Sequence, residues 1–127
     1  MYKLIKNSKK YWDFIRRLRN HKSNQSGFVE QVNITHLEQE KYMAKHNNDY
    51  YICLGDNQPV GFIGVIENDI RVCTDPMHQK RGVGKFMVDE IMKIHPNACA
   101  KIIINNTASV ALFEKCGFKK KFFILER

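Results

Sequence analysis

Between Asp49 and Thr74 the chain abandons helical spacing for three short apolar runs separated by turn residues. "DYYICLG" (49–55) reads as a strand, and "DN" followed by Pro59 marks a turn. "VGFIGVI" (60–66) is a buried strand carrying two glycines, and "END" (67–69) marks a second turn. "IRVCT" (70–74) is a third strand, halted at Pro76, which has no N–H to give a ladder. Three strands joined by turns this tight can only meander antiparallel, so the middle of the chain is committed to a sheet.

The flanks must supply what covers that sheet. "YKLIK" (2–6) alternates and predicts a first strand. Ser8 is placed to cap a helix in which Tyr11, Phe14, Ile15 and Leu18 share one face, while Lys9, Lys10, Arg16, Arg17 and Arg19 point outward. "HKSNQSG" (21–27) is a loop by composition. Thr35 and Glu38 have capping-box spacing and open a second helix to about His46. After the meander, Val83, Phe86, Met87, Ile91 and Ile94 recur at helical spacing until Pro96. "AKIIIN" (100–105) predicts a short strand buried on both faces, and "NTASVALFEKCG" (106–117) a helix capped by Asn106 or Thr107 and stopped at Gly117. "FKKKFFILER" predicts a final strand. The order β-α-α-β-β-β-α-β-α-β is that of a mixed α/β (α+β) domain with helices packed on one mostly antiparallel sheet. At 127 residues, one domain over 1–127 is expected, because a second core would be too small.

Composition narrows the function classes. Lys and Arg number 21 against 13 Asp and Glu, a net charge of +8 that favours anionic partners without choosing among them. The basic residues interleave with an apolar helix face and no nucleic-acid-reading motif occurs, so nucleic acid is not the expected partner. No apolar run approaches the ~20 residues that cross a bilayer, and the N-terminus lacks the apolar core of a signal peptide. No membrane partner and a cytoplasmic location are expected. Cys53, Cys73, Cys99 and Cys116 are scattered, without C-x-x-C or paired-His spacing. No metal site is expected; they read as buried free thiols.

The segment that carries chemistry is "HQKRGVGK" (78–85), between the strand 70–74 and the helix from Val83. The first amides of a helix have no internal partner and lie at its positive end, so this loop offers N–H donors to an anion. Gly82 and Gly84 remove side chains that would hold a phosphate away, and Lys80, Arg81 and Lys85 add charge. The spacing Q-x-x-G-x-G is neither a P-loop nor a dinucleotide fingerprint. By itself it is equally compatible with a tight strand-to-helix turn.

A second constellation follows. From Asn106 to Phe118 the chain reads N-x-x-S-x-x-L-F-x-K-x-G-F. A Q-x-x-G-x-G loop at a strand-to-helix junction, then a strand, then this segment, resembles the GCN5-related N-acetyltransferase (GNAT) superfamily over residues 59 to 118. The resemblance implies acetyl-coenzyme A as co-substrate, with its pyrophosphate on the amides of Gln79, Lys80, Arg81, Gly82, Val83, Gly84 and Lys85. It implies a sheet splayed between the strands 70–74 and 101–105, with helices on both faces. The pantetheine arm would thread that gap and pair with backbone near Val72, Cys73 and Thr74. Asn106, Ser109 and Phe113 would line its far side.

Acetyl transfer to an amine needs a base, a polarised carbonyl and a stabilised thiolate. Freeing a lysine-like amine of its proton at pH 7 costs about 4.6 kcal/mol. Glu67 and Asp69 are the candidate bases, against the alternative of ordinary turn acids. A backbone N–H at Thr74 is placed to polarise the carbonyl. Phe113 stands where many family members carry Tyr and has no proton to give, so water, Ser109 or Cys116 protonates the thiolate, or the step runs without a dedicated acid. The acceptor is read as a small-molecule primary amine, with Arg19, Asn20 and Phe28 as contacts. A loose likeness of the first half to enzymes that acetylate nucleotide-linked amino sugars names one substrate. Trp12, off the apolar stripe, either stacks on a ring or packs on the sheet. Alternatives are a catalytically weak coenzyme A-binding module and a protein amine acetyltransferase. The C-terminal strand would leave an edge open to pairing, consistent with a homodimer.

Overall fold

The computed structural model describes residues 1–25, 28, 29 and 32–127. Its sheet has four strands in the order β1 (Tyr2–Lys6), β2 (Tyr50–Gly55), β3 (Gln58–Ile66) and β4 (Asp69–Thr74), every neighbour antiparallel. Both tight turns use two residues in the left-handed region: Asp56 and Asn57 at φ 50° and 66°, and Glu67 and Asn68 at φ 52° and 63°. That conformation matches the twist of paired strands, and Asp and Asn tolerate it best.

Helices cover both faces. On one, α1 (Trp12–Asn20) and α3 (His36–His46) bury Phe14, Ile15, Leu18 and Met43 against Tyr50, Ile52, Phe62 and Cys73. On the other, α4 (Val83–Ile94) and α5 (Thr107–Lys115) enclose Val83, Met87, Val88, Ile91 and Phe113 with Ile63, Val65 and Ile70. Each fully buried aliphatic side chain is worth about 1.5–3 kcal/mol relative to exposure. The alternation of β4 therefore divides its residues: Ile70 and Val72 face α4, whereas Arg71 and Cys73 face α1 and α3.

The capping box of α3 forms as its spacing predicts, with Glu38 N–H donating to Thr35 Oγ1 at 3.1 Å and Thr35 N–H to Glu38 Oε1 at 3.0 Å. Ser8 makes no side-chain cap; a 3-10 turn at Lys9–Tyr11 intervenes before α1. The predicted loop 21–27 contains a short helix, α2 (Lys22–Gln25), and its residues 26 and 27 lie outside the described ones.

Two expected strands do not form. Among the described residues, the segment 100–105 is joined to the sheet by backbone hydrogen bonds only through its predecessor: Ile70 N–H donates to the Cys99 carbonyl at 2.9 Å, and Cys99 N–H to that of Asn68 at 2.8 Å. This is a single parallel bridge, Asp69 to Cys99. Beyond it no backbone hydrogen bond joins the two segments, and a ladder cannot extend without a neighbour. Ile102 is half-buried against the α4 core and Ile104 is 81% exposed, so the apolar run is not covered on both sides. Among the described residues the segment 118–127 has no strand beside it either, and Phe122 to Leu125 stand in solvent.

Candidate cofactor and acceptor site

The bridge at Asp69–Cys99 fixes which way the backbone of β4 points. In an antiparallel strand, alternate residues direct both N–H and C=O to one neighbour. Ile70 points its N–H toward Cys99, away from β3, so Val72 and Thr74 point theirs the same way, into the gap that opens after the bridge. Asp69, Arg71 and Cys73 bond to Ile66, Gly64 and Phe62 of β3. Cys73 therefore has its backbone engaged by β3 and its side chain buried toward α1, which leaves nothing to offer a ligand in the gap.

The strand runs on through Pro76–His78 into the glycine loop. Lys80 at φ 64° and Gly82 at φ 81° both take the left-handed conformation and bracket Arg81. Successive amides arranged this way form a concave nest of N–H donors. Among the described residues no acceptor engages the amides from Lys80 to Lys85; the first bond of α4 is from Phe86 N–H to the Gly82 carbonyl at 3.0 Å. A side chain at Gly82 would meet nothing within 4 Å, so glycine is there for its conformation. Gly84 differs: a Cβ there would lie 3.0 Å from Leu112 Cδ2, so this glycine lets α5 approach α4. Lys85 turns its Nζ to Asp89 at 2.6 Å, which raises its pKa by that hydrogen bond, and contributes its amide to the loop. Gln79 reaches Asn24 Oδ1 of α2 at 3.4 Å.

One residue that shapes the loop has no motif to betray it. The Tyr2 hydroxyl donates to the Arg81 carbonyl at 3.0 Å, and its ring packs 5.8 Å from that of Phe86. Holding this carbonyl turns the neighbouring amides outward. If the loop holds the diphosphate that its family resemblance implies, Tyr2→Phe is expected to weaken acetyl-CoA binding about two- to tenfold, the worth of one neutral hydrogen bond. Calorimetric titration of both proteins checks it, and equal affinities would remove Tyr2 from the site.

A cleft of about 350 Å³ opens between β4 and the segment 100–102. It gathers several residues anticipated from sequence: Asp69, Val72, Ser109, Phe113, Arg19 and Phe28. Arg71, Lys101 and Ile102 complete its floor and rim and were not anticipated. Asp69 is largely buried there; its Oδ2 lies 3.6 Å from Arg71 Nε, and its Oδ1 is buried without a hydrogen-bond partner among the described residues. Glu67 is exposed at its turn, outside the cleft. Phe113 is 4% exposed and meets Phe118 edge-on at 5.0 Å, so it offers a wall and no proton.

Other candidates have partners within the fold. Asn106 caps α5, accepting from Ser109 N–H at 3.1 Å. Asn20 is occupied with both backbone groups of Ile34, at 2.7 and 2.9 Å. Trp12 packs partly buried against the α1–α3 core and donates its Nε1–H to Asn47 Oδ1 at 2.7 Å. Burial pushes the Cys53 and Cys73 thiols up to about 11 and about 12. Cys116 is half-buried, its pKa raised by burial and then by Asp89, and lies outside the cleft; Cys99, against expectation, is exposed. Among the described residues no group of three or more His, Cys, Asp or Glu could hold a metal, and no helix is long and apolar enough to cross a membrane.

The site thus has three parts: a strand opening along one edge, a donor-lined loop at a helix start, and a cleft between β4 and the segment 100–102. The chain belongs to the acetyltransferase (GNAT) family, whose sequence profile matches residues 12–118. Its fold is similar to that of the spermidine N-acetyltransferase from Vibrio cholerae in complex with CoA and spermine, at 19% identity and a TM-score of 0.86, covering 99% of this chain and 85% of that one. A domain from Methanocaldococcus jannaschii is similar at 19% identity and a TM-score of 0.82, covering 95% and 90%. An aminoglycoside acetyltransferase in complex with coenzyme A follows at 15% identity and a TM-score of 0.75, covering 95% and 86%. Among curated proteins no sequence match is found.

Proposed function

We propose that this protein is an acetyl-CoA-dependent N-acetyltransferase acting on a small primary amine. The observation that carries the reading is two sets of backbone donors without acceptors among the described residues, on either side of the 75–78 turn, whose own amides are engaged. One is the outward groups of Val72 and Thr74, the other the amides of Lys80 to Lys85, and the only carboxylate among the described cleft residues lies beside the first. Acetyl-CoA supplies an activated acetyl thioester. The loop amides would hold its diphosphate, and Val72 and Thr74 would pair with the amide-bearing arm. The Thr74 N–H would meet the negative charge that develops on a carbonyl oxygen, and Ser109 and Phe113 would bound the far wall. Asp69 would receive the amine as ammonium and take its proton. That the matched structures include spermidine and aminoglycoside N-acetyltransferases supports an amine acceptor in general. A nucleotide-linked amino sugar gains no such support.

Incubating the protein with acetyl-CoA and a panel of amines while following free thiol tests the reading. Acceptor-dependent thiol release is the expected outcome. A second reading, a module that binds coenzyme A without turnover, is favoured by Phe113, which leaves the departing thiolate no phenolic proton. Tight CoA binding without thiol release from any acceptor would select it.

A further inference from the structure

We propose that the acceptor is a zwitterion: a primary amine with an anionic oxygen group, carboxylate or phosphate, read by Arg71 and Arg19. This rests on the amine-acetylation reading and adds the acceptor's charge pattern. In the sheet, Tyr50, Gly64 and Arg71 form one cross-strand row and so share a face. A Cβ at Gly64 would lie 2.6 Å from the Tyr50 ring, so the glycine lets that ring lie flat across β3 toward Arg71. The Tyr50 hydroxyl pairs with that of Tyr42 at 2.7 Å, and Arg19 lies 5.8 Å from the Tyr42 ring centre. Two guanidinium groups thus converge on one tyrosine pair where β4 faces α1.

Arg71 stays charged in this place. Burial works against its charge, but Tyr50, Tyr42 and Asp69 outweigh burial and raise its pKa. Its side chain keeps 40% of its exposure, and its nearest carboxylate oxygen, at 3.6 Å, is too far for a good hydrogen bond. A guanidinium has five donors in a planar fork that suits carboxylate and phosphate alike. Arg19 already interacts elsewhere in the fold; of the remaining described cleft residues, Arg71 and Lys101 are cationic and Asp69 alone is acidic. A polyamine would place several positive charges against that surplus. A molecule with its ammonium at the Asp69 carboxylate and an anion at Arg71 matches both ends.

Three acceptors of the same amine and similar length separate the possibilities: ethanolamine, β-alanine and O-phosphoethanolamine, with spermidine as the polycation. The expected result is a kcat/KM at least about tenfold higher for β-alanine or O-phosphoethanolamine than for ethanolamine or spermidine. Whichever anionic amine leads identifies carboxylate or phosphate as the source. Arg71→Gln should shrink the anionic-to-neutral ratio about ten- to a hundredfold, the range for a hydrogen bond to a charged group. Arg71→Lys should fall between, because it keeps the charge and loses the fork. Melting curves confirm that both variants fold. Equal or better use of ethanolamine or spermidine, or a ratio unmoved in both variants, overturns the proposal and leaves the enzyme reading standing. No acetylation of any amine by protein that binds acetyl-CoA overturns the enzyme reading, and the proposal with it.

Discussion

Asp69→Asn is expected to lower kcat about 10²- to 10⁴-fold, the usual worth of a positioned base. Asp69 is the only acid among the described residues of the cleft, and one of its oxygens is buried with no partner among them. The other oxygen, Oδ2, lies 3.6 Å from Arg71 Nε, too far for a good hydrogen bond, so the carboxylate keeps capacity to accept from an arriving ammonium group. Asparagine keeps the shape and the bridge to Cys99, which is made by backbone, and removes the charge. Acetyl-CoA affinity should stay within about threefold, because the donors proposed for it lie on the loop and on Val72 and Thr74. Glu67→Gln is the comparison. Glu67 sits exposed in the same hairpin, so its loss should change kcat less than about threefold. Steady-state kinetics with saturating acetyl-CoA decides between them, and the assignment fails if Asp69→Asn turns over like the parent protein.

The sequence made these two acids hard to separate, and the reason is local. "END" shows two carboxylates flanking Asn68, and extended backbone would set them on one side. The turn instead places Glu67 and Asn68 in the left-handed region, so only Asp69 belongs to β4 and inherits the direction of its side chains. Features governed by residues close in sequence were legible: the meander, the capping box at Thr35, the stripe Phe14–Ile15–Leu18, the cap at Asn106 and the glycine loop. Features that need a distant partner were not. An apolar run such as "AKIIIN" has strand composition, yet whether a ladder forms depends on β4 staying beside it, and β4 parts from it after one bridge. "FKKKFFILER" fails for the same reason. Nothing in the sequence singles out Arg71; the row through Gly64 sets it beside Tyr50. Tyr2 and Arg81 are 79 positions apart and carry no shared motif.

Gly82→Val is expected to weaken acetyl-CoA binding at least about a hundredfold, with a smaller loss of stability of about 1–2 kcal/mol from left-handed strain. Two explanations of glycine in such a loop make different predictions. If Gly82 were present for space, a side chain would collide with something; nothing lies within 4 Å of its Cβ position. What valine cannot accept is φ 81°, so the backbone must rotate, and the amides on either side no longer converge. Each amide that leaves a diphosphate oxygen forfeits a charge-assisted hydrogen bond worth about 1.5–3 kcal/mol. Gly82→Asn therefore serves as the telling control: asparagine has a side chain but tolerates the left-handed region, so it should retain affinity within about tenfold. Gly84→Ala presses on Leu112 instead and should cost stability, about 1 kcal/mol or less, because the far end of a leucine can yield. Calorimetry with acetyl-CoA and thermal melts on the three variants tell conformation from space. An asparagine variant as defective as the valine one would mean that the loop needs bare backbone at Gly82 and not its left-handed turn, and undiminished binding by Gly82→Val would remove the loop from the cofactor site.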